Sequence, residues 1–130
     1  MIFFLHILLM AIATLGIIIG VATAIFYRQK SNWLKIHKSL IFFSLLGIAA
    51  GLIMAVVYVF STGGKHIDGL HQIIGLAAFI FAGLTLLLGF YQFKAKNKLA
   101  VRSIHRLLGR FSLVLFLTAI MLGLKLINII

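Results

Sequence analysis

Four histidines, His6, His37, His71 and His105, each stand near the start of a long apolar stretch, at intervals of 31, 34 and 34 residues. Ionisable side chains inside a membrane span are costly and rare, so one histidine per span at a matching depth points to chemistry rather than packing. Neutral imidazole is a common ligand of transition metals and of haem iron, and the pattern predicts two buried metal centres. Cysteine is absent, which removes disulfides, thiolate ligation and iron–sulfur clusters. Asp68 is the only acidic side chain, so paired acid–base catalysis and thiol nucleophiles have no residues to use. The fifth histidine, His66, lies in a polar loop five residues before His71 and off its helical face. It reads as a surface residue, with an outer-face substrate or proton role as the alternative. Asp68 reads as an N-cap for the third span, or as a group orienting His71 across one turn.

The elements that must position these histidines follow from composition. The chain has 130 residues, 64% of them hydrophobic, no proline, and a mean hydropathy of +1.26. This is far too apolar for a water-soluble domain. A transmembrane helix needs about 20 apolar residues, so the length allows four spans with short connections and one compact membrane domain over 1–130. The apolar runs predict spans at about 2–27, 34–60, 67–93 and 100–127. Uninterrupted runs of this length must be helical, because in lipid every backbone polar group needs an internal partner. The fold class is therefore all-α, a transmembrane four-helix up-down bundle. Ten of the twelve Lys and Arg residues fall at the end holding the first and third loops. The positive-inside rule makes loops 28–33 and 94–99 cytoplasmic and puts both termini outside, in a multi-pass protein of the cell (inner) membrane. The charge of +11 thus describes one face that attracts anionic lipid, and nucleic-acid binding is not expected. Ala22-Thr23-Ala24 imitates a signal-peptidase site, but there is no basic n-region and the apolar run is too long, so the first span is read as retained.

An internal repeat refines the picture. Phe26-Tyr27-Arg28-Gln29-Lys30 followed by Ile36-His37-Lys38 reads like Phe90-Tyr91-Gln92-Phe93-Lys94 followed by Ile104-His105-Arg106. Each copy is a helical hairpin, and both copies share one membrane orientation. His6 and His71 then lie near the outer face, His37 and His105 near the inner one. Each level receives one histidine from each repeat, and two facing imidazoles are what a six-coordinate haem iron takes. Glycines repeat with the histidines. Gly16 and Gly20 follow His6 by 10 and 14 residues, as Gly47 and Gly51 follow His37; Gly75 and Gly89 follow His71 by 4 and 18, as Gly109 and Gly123 follow His105. At about 100° per residue, offsets of 4, 14 and 18 return to within roughly 40° of the histidine direction. These eight glycines are candidates for packing against a flat macrocycle. The alternative is that Gly16-x-x-x-Gly20 and Gly47-x-x-x-Gly51 are small-xxx-small helix contacts.

His6-Ile7-Leu8-Leu9-Met10, Lys35-Ile36-His37, Gly69-Leu70-His71-Gln72-Ile73-Ile74-Gly75, Ile104-His105-Arg106-Leu107-Leu108-Gly109 and the closing Leu122-Gly123-Leu124 resemble the four-helix core of the cytochrome b561 family. The resemblance covers nearly the whole chain, and the histidine spacing is its most specific part. It implies two haem b groups, an outer one on His6 and His71 and an inner one on His37 and His105, and transmembrane electron transfer from a cytoplasmic-side donor to an outer acceptor. In such families the donor is ascorbate or, in some bacterial relatives, quinol, and the acceptor is monodehydroascorbate or ferric iron, here a ferric chelate. The chain departs from the family's Ser-Leu-His-Ser-Trp stretch at Gly69-Leu70-His71-Gln72-Ile73, and Tyr58, Val59, Phe60 and Ser61 stand where an outer-face histidine is usual. The flanking helices of six-helix members have no counterpart. Lys30, Lys35, Lys38 and Arg102 are inner-face anion candidates, while Lys38, Arg102, Arg106 and Arg110 are candidates for neutralising haem propionates.

Two other functions stay open. One is a haem-bearing membrane anchor exchanging electrons with quinone and a protein partner. The other is a metal-ion transporter with the histidines as stepping ligands, although Met1, Met10, Met54 and Met121 form no ladder beside them. A homodimer is compatible with either assembly.

Overall fold

The computed structural model of the protein describes residues 1–129. Four α-helices follow one another, α1 (Ile2–Phe26), α2 (Trp33–Thr62), α3 (Leu70–Tyr91) and α4 (Lys98–Leu126), and no strand occurs among the described residues. All four are long and apolar enough to cross a membrane. Even the 22 residues of α3 reach about 33 Å at 1.5 Å per residue, enough for a hydrocarbon core of about 30 Å. The apolar runs locate every helix end to within three residues.

The ends are set by local chemistry. Gly63 takes the left-handed conformation at φ 67°, and the Gly64 N–H closes the last turn of α2 on the Val59 carbonyl at 3.0 Å. The third helix begins later than the apolar run suggests, and Asp68 is not its N-cap. Gly69 holds that position in extended backbone, and the Gln72 side-chain oxygen reaches back to accept from the Asp68 and Gly69 N–H groups at 2.6 and 3.2 Å. Gln72, at the third position of the helix, thus supplies the reciprocal half of a capping box. At α4 the Asn97 side chain caps directly, accepting from the Ala100 N–H at 3.1 Å.

The chain divides into two compact units, Met1–His66 and Ile67–Ile130, each built on one antiparallel helical hairpin. The buried positions of α1 and α2 are mostly small, Ala13, Thr14, Gly20, Ser44 and Gly51 beside Ile17 and Ile48. In the second hairpin they are Gly75, Ala78, Thr85, Ser112 and Ala119 beside Phe116. Large apolar side chains point outward instead, with Phe4, Phe43 and Leu107 each about 70% exposed. That inverts the order of a soluble domain and suits helices that meet through close backbone approach while lipid covers the bulky residues.

Candidate functional site

The four histidines share one arrangement. His6 donates from Nδ1 to the Gly51 carbonyl and His37 from Nδ1 to the Gly20 carbonyl, each at 2.8 Å. In the second hairpin, His71 donates to the Ala119 carbonyl at 2.8 Å and His105 to the Thr85 carbonyl at 2.9 Å. A carbonyl can only accept, so Nδ1 carries a proton in all four rings and Nε2 is the nitrogen that a metal would meet. A bond of this kind from the ring nitrogen away from the metal fixes the tautomer and orients a ligating histidine.

A single register produces these bonds. The accepting residue always stands fourteen positions after the histidine of the facing helix: Gly51 after His37, Gly20 after His6, Ala119 after His105, Thr85 after His71. Offsets of 0, 4, 7, 14 and 18 form one stripe on a helix of 3.6 residues per turn, and in each hairpin the two stripes face each other. Because the helices run antiparallel, the two histidines of one hairpin lie at opposite ends. His37 and the Gly51 carbonyl that holds His6 are fourteen residues apart on α2, about 21 Å. His6 and His37 therefore cannot ligate the same iron, and the same spacing separates His71 from His105.

The glycines have identifiable places in this register. A Cβ on Gly51 would stand 2.9 Å from the Met10 sulfur, one on Gly20 would stand 2.9 Å from Ile41 Cδ1, one on Gly47 would meet the Ala13 methyl at 3.2 Å, and one on Gly16 would collide with the Ser44 hydroxyl. The Gly16–Gly20 and Gly47–Gly51 motifs thus permit close approach of α1 and α2, the packing that the small-xxx-small alternative describes. In the second hairpin the missing side chains make room for the histidines themselves. A Cβ on Gly123 would lie 2.9 Å from His71 Cε1, and one on Gly89 would lie 3.1 Å from His105 Cε1. Gly75 faces the Ala119 methyl at 4.0 Å, and Gly109 faces the Thr85 methyl at 3.4 Å.

The two hairpins fill the same contact with opposite size order. In the first, the residue four after each histidine is large (Met10, Ile41) and meets a glycine at offset fourteen; in the second, offset four is glycine and meets Ala119 or Thr85. The sequence reading overlooked Ala119 and Thr85, which share offset fourteen with the flagged glycines but are not glycine. It also overlooked offset seven, where Ala13, Ser44, Ala78 and Ser112 repeat and are all buried. A search for small residues of any type at a fixed distance from each histidine would have found both.

All four imidazoles are half-buried. Lys38 is half-buried beside His37, whereas Arg102, Arg106 and Arg110 are exposed around His105 on the first turns of α4. His66 is exposed. The Trp33 ring lies 6.4 Å from the His37 ring, one helical turn away. Among the described residues, no three His, Asp or Glu side chains gather in a way that could hold a bare ion. A macrocycle already supplies four ligands to its iron, so single, tautomer-fixed imidazoles are the protein contribution that such a group requires.

Comparison with curated proteins and with solved structures finds no match. A family model described as eukaryotic cytochrome b561 matches residues 5–129, a span that contains all four histidines and both reciprocal registers. The chain therefore belongs to the cytochrome b561 family, whose members bind b-type haem and transfer electrons in membranes.

Proposed function

We propose that the protein conducts electrons across the membrane through two b-type haems, one held by His6 and His71 and the other by His37 and His105. The observation that carries this reading is the set of four Nδ1–H bonds to backbone carbonyls, which orients every ring with Nε2 as the nitrogen a haem iron would meet. Each hairpin offers one such nitrogen at each of its ends, so a six-coordinate iron needs one ligand from each of two hairpins. The bound haems supply reversible one-electron chemistry at iron. The chain's part is to fix the rings, to hold two ligand levels about 21 Å apart within each hairpin, and to keep the space between them apolar.

The basic residues give the direction of insertion. With loops 28–33 and 94–99 on the cytoplasmic side, His37 and His105 form the inner level, and Lys38, Arg102, Arg106 and Arg110 lie where propionates would need neutralising. Both termini are then outside, in the cell (inner) membrane. Electrons enter from a cytoplasmic-side donor such as ascorbate or quinol and leave to an outer acceptor such as a ferric chelate. A haem-bearing anchor passing electrons between quinone and a protein partner uses the same ligand set. The transporter alternative is not favoured, because a bare transition-metal ion takes about four protein donors and the described residues gather no such group.

Haem quantification on purified protein, with electron paramagnetic resonance of the oxidised state, tests the proposal. Two low-spin haems per chain are expected. No haem would overturn the assignment, and one haem per chain would leave two of the four histidines without iron and overturn the pairing.

A further inference from the structure

The turn between α1 and α2 borders a half-open cavity of about 200 Å³ lined by Thr23, Tyr27, Lys30, Asn32, Trp33 and Ile36. Two successive tight turns build it: the Lys30 N–H closes on the Tyr27 carbonyl at 3.0 Å and the Trp33 N–H on the Lys30 carbonyl at 3.3 Å. Thr23 is buried at the cavity's inner side, its hydroxyl donating to the Ile19 carbonyl at 2.8 Å. Asn32 occupies the N-cap position of α2, yet its side chain makes no capping bond. The lining thus brings Lys30, Asn32 and Tyr27 together with Trp33 and Ile36, and its surface is mostly apolar. Asp68 is the only acidic side chain against twelve Lys and Arg, so the basic ends of the hairpins require anions from outside the chain.

We propose that this cavity binds the phosphodiester of one anionic phospholipid, with Lys30 facing the phosphate and Trp33 and Ile36 bordering the start of the acyl region. Three features select a lipid over a free anion. The lining is mostly apolar, which an ester-linked tail would cover and a free anion would not. Trp33 and Tyr27 are the residue types that settle at headgroup level. Arg28, Lys35 and Lys38 lie on the same turn and helix start and add to the attraction for a negative surface. A zwitterionic lipid brings its own ammonium to the same place and is disfavoured. Through Trp33, whose ring neighbours the His37 ring, an occupied cavity would steady the turn beside one of the family's haem ligands.

The test is native mass spectrometry of the full-length, haem-loaded protein after exchange into detergent containing equal phosphatidylglycerol and phosphatidylcholine. One phosphatidylglycerol should be retained per chain, and Lys30→Ala should lower its retention about fivefold, the effect of one basic residue at an anionic surface. Trp33→Leu should lower it as well, while Lys35→Ala, which removes the same charge outside the cavity, should leave more lipid bound than Lys30→Ala does. The haem absorption spectrum reports that each variant is folded. Equal loss in Lys30→Ala and Lys35→Ala would overturn the proposal in favour of diffuse surface charge. Displacement of the lipid by millimolar inorganic phosphate would overturn it in favour of a free-anion site, and displacement by ascorbate would reassign the cavity to an electron donor. Retention unchanged in Lys30→Ala and Trp33→Leu would overturn it outright.

Discussion

Adding one methyl group at position 123 should weaken one haem site and spare the other. The Cβ of Gly123→Ala would stand 2.9 Å from Cε1 and 3.1 Å from Nδ1 of the His71 ring, against 3.4 Å or more for an ordinary contact. Either the ring or α4 must move by about half an ångström. The ring cannot rotate away without loss, because its Nδ1 is held by the Ala119 carbonyl at 2.8 Å, four residues earlier on the same helix that carries the new methyl. Loss of a bond that orients a ligating histidine costs roughly 10- to 100-fold in affinity, which is about 1.4–2.7 kcal/mol. Titration of the apoprotein with haem, followed by its Soret absorption, should therefore show one site weakened by that factor and one unchanged. Gly83→Ala is the control: a Cβ there meets nothing within 4 Å, and alanine improves helix propensity by about 1 kcal/mol. Gly89→Ala, with its Cβ 3.1 Å from His105 Cε1, should weaken the other site by a smaller factor. Two intact sites in Gly123→Ala would refute the claim that this glycine makes room for the imidazole, and equal weakening of both would refute the assignment of His71 and His105 to separate haems.

In the first hairpin the corresponding clashes fall on aliphatic groups, so stability rather than haem affinity should respond. Gly20→Ala presses on β-branched Ile41, which is stiff at χ1, whereas Gly51→Ala presses on the flexible thioether of Met10. Thermal unfolding in detergent should show a loss of about 1–3 kcal/mol for Gly20→Ala and less for Gly51→Ala, with Met10→Ala partly restoring Gly51→Ala in a double-mutant cycle. Thr14 is 3% exposed, and its hydroxyl makes no hydrogen bond, although the helical hydroxyls of Thr23, Thr85 and Ser112 all donate to the carbonyl four residues earlier. Thr14→Val should therefore be neutral or stabilising by about 1 kcal/mol in the same assay, and a clear loss would show that the hydroxyl is partnered in the membrane. His37→Ala should remove one of the two haems and leave the His71 site loaded, measured by haem content per chain. Loss of both would refute independent ligand levels.

The helices were legible because the apolar runs are long, lack proline and are punctuated by Arg28, Gly63-Gly64 and Lys94, so each boundary carries its own signal. The histidines were legible because a polar ring in an apolar helix has few structural uses. What the sequence could not disclose is which way a glycine faces. Gly51 and Gly123 lie on the histidine stripe of their own helices, fourteen residues after His37 and eighteen after His105, yet their missing side chains face Met10 in one case and the His71 ring in the other. Offset from a histidine on the same chain segment fixes a direction around one helix. The occupant of the space depends on the facing helix and its register, which pairwise spacing along one segment does not encode. Asp68 failed as a cap for a related reason, since the N-cap falls one residue later at Gly69 and Gln72, already inside the helix, reaches back to the N–H groups of Asp68 and Gly69.

The reversal of size order between the hairpins has a consequence for the ligands. At offset eighteen the second hairpin places Gly89 and Gly123 against the facing histidine rings, while the first carries Ala24 and Ala55 at those positions. His71 and His105 are therefore bordered by bare backbone on one side and tied to a carbonyl on the other, so their ring planes are set by two elements of one rigid hairpin. His6 and His37 share the carbonyl tether but sit beside helices whose glycines serve a different contact, that of Gly20 with Ile41 and Gly51 with Met10. If one haem ligand of each pair comes from each hairpin, the ligand from the second hairpin is the one that an added methyl at offset eighteen displaces. Alanine at 89 or 123 should then shift the spectrum of one haem each, whereas alanine at 20 or 51, which meets Ile41 or Met10, should cost stability with less change in either spectrum.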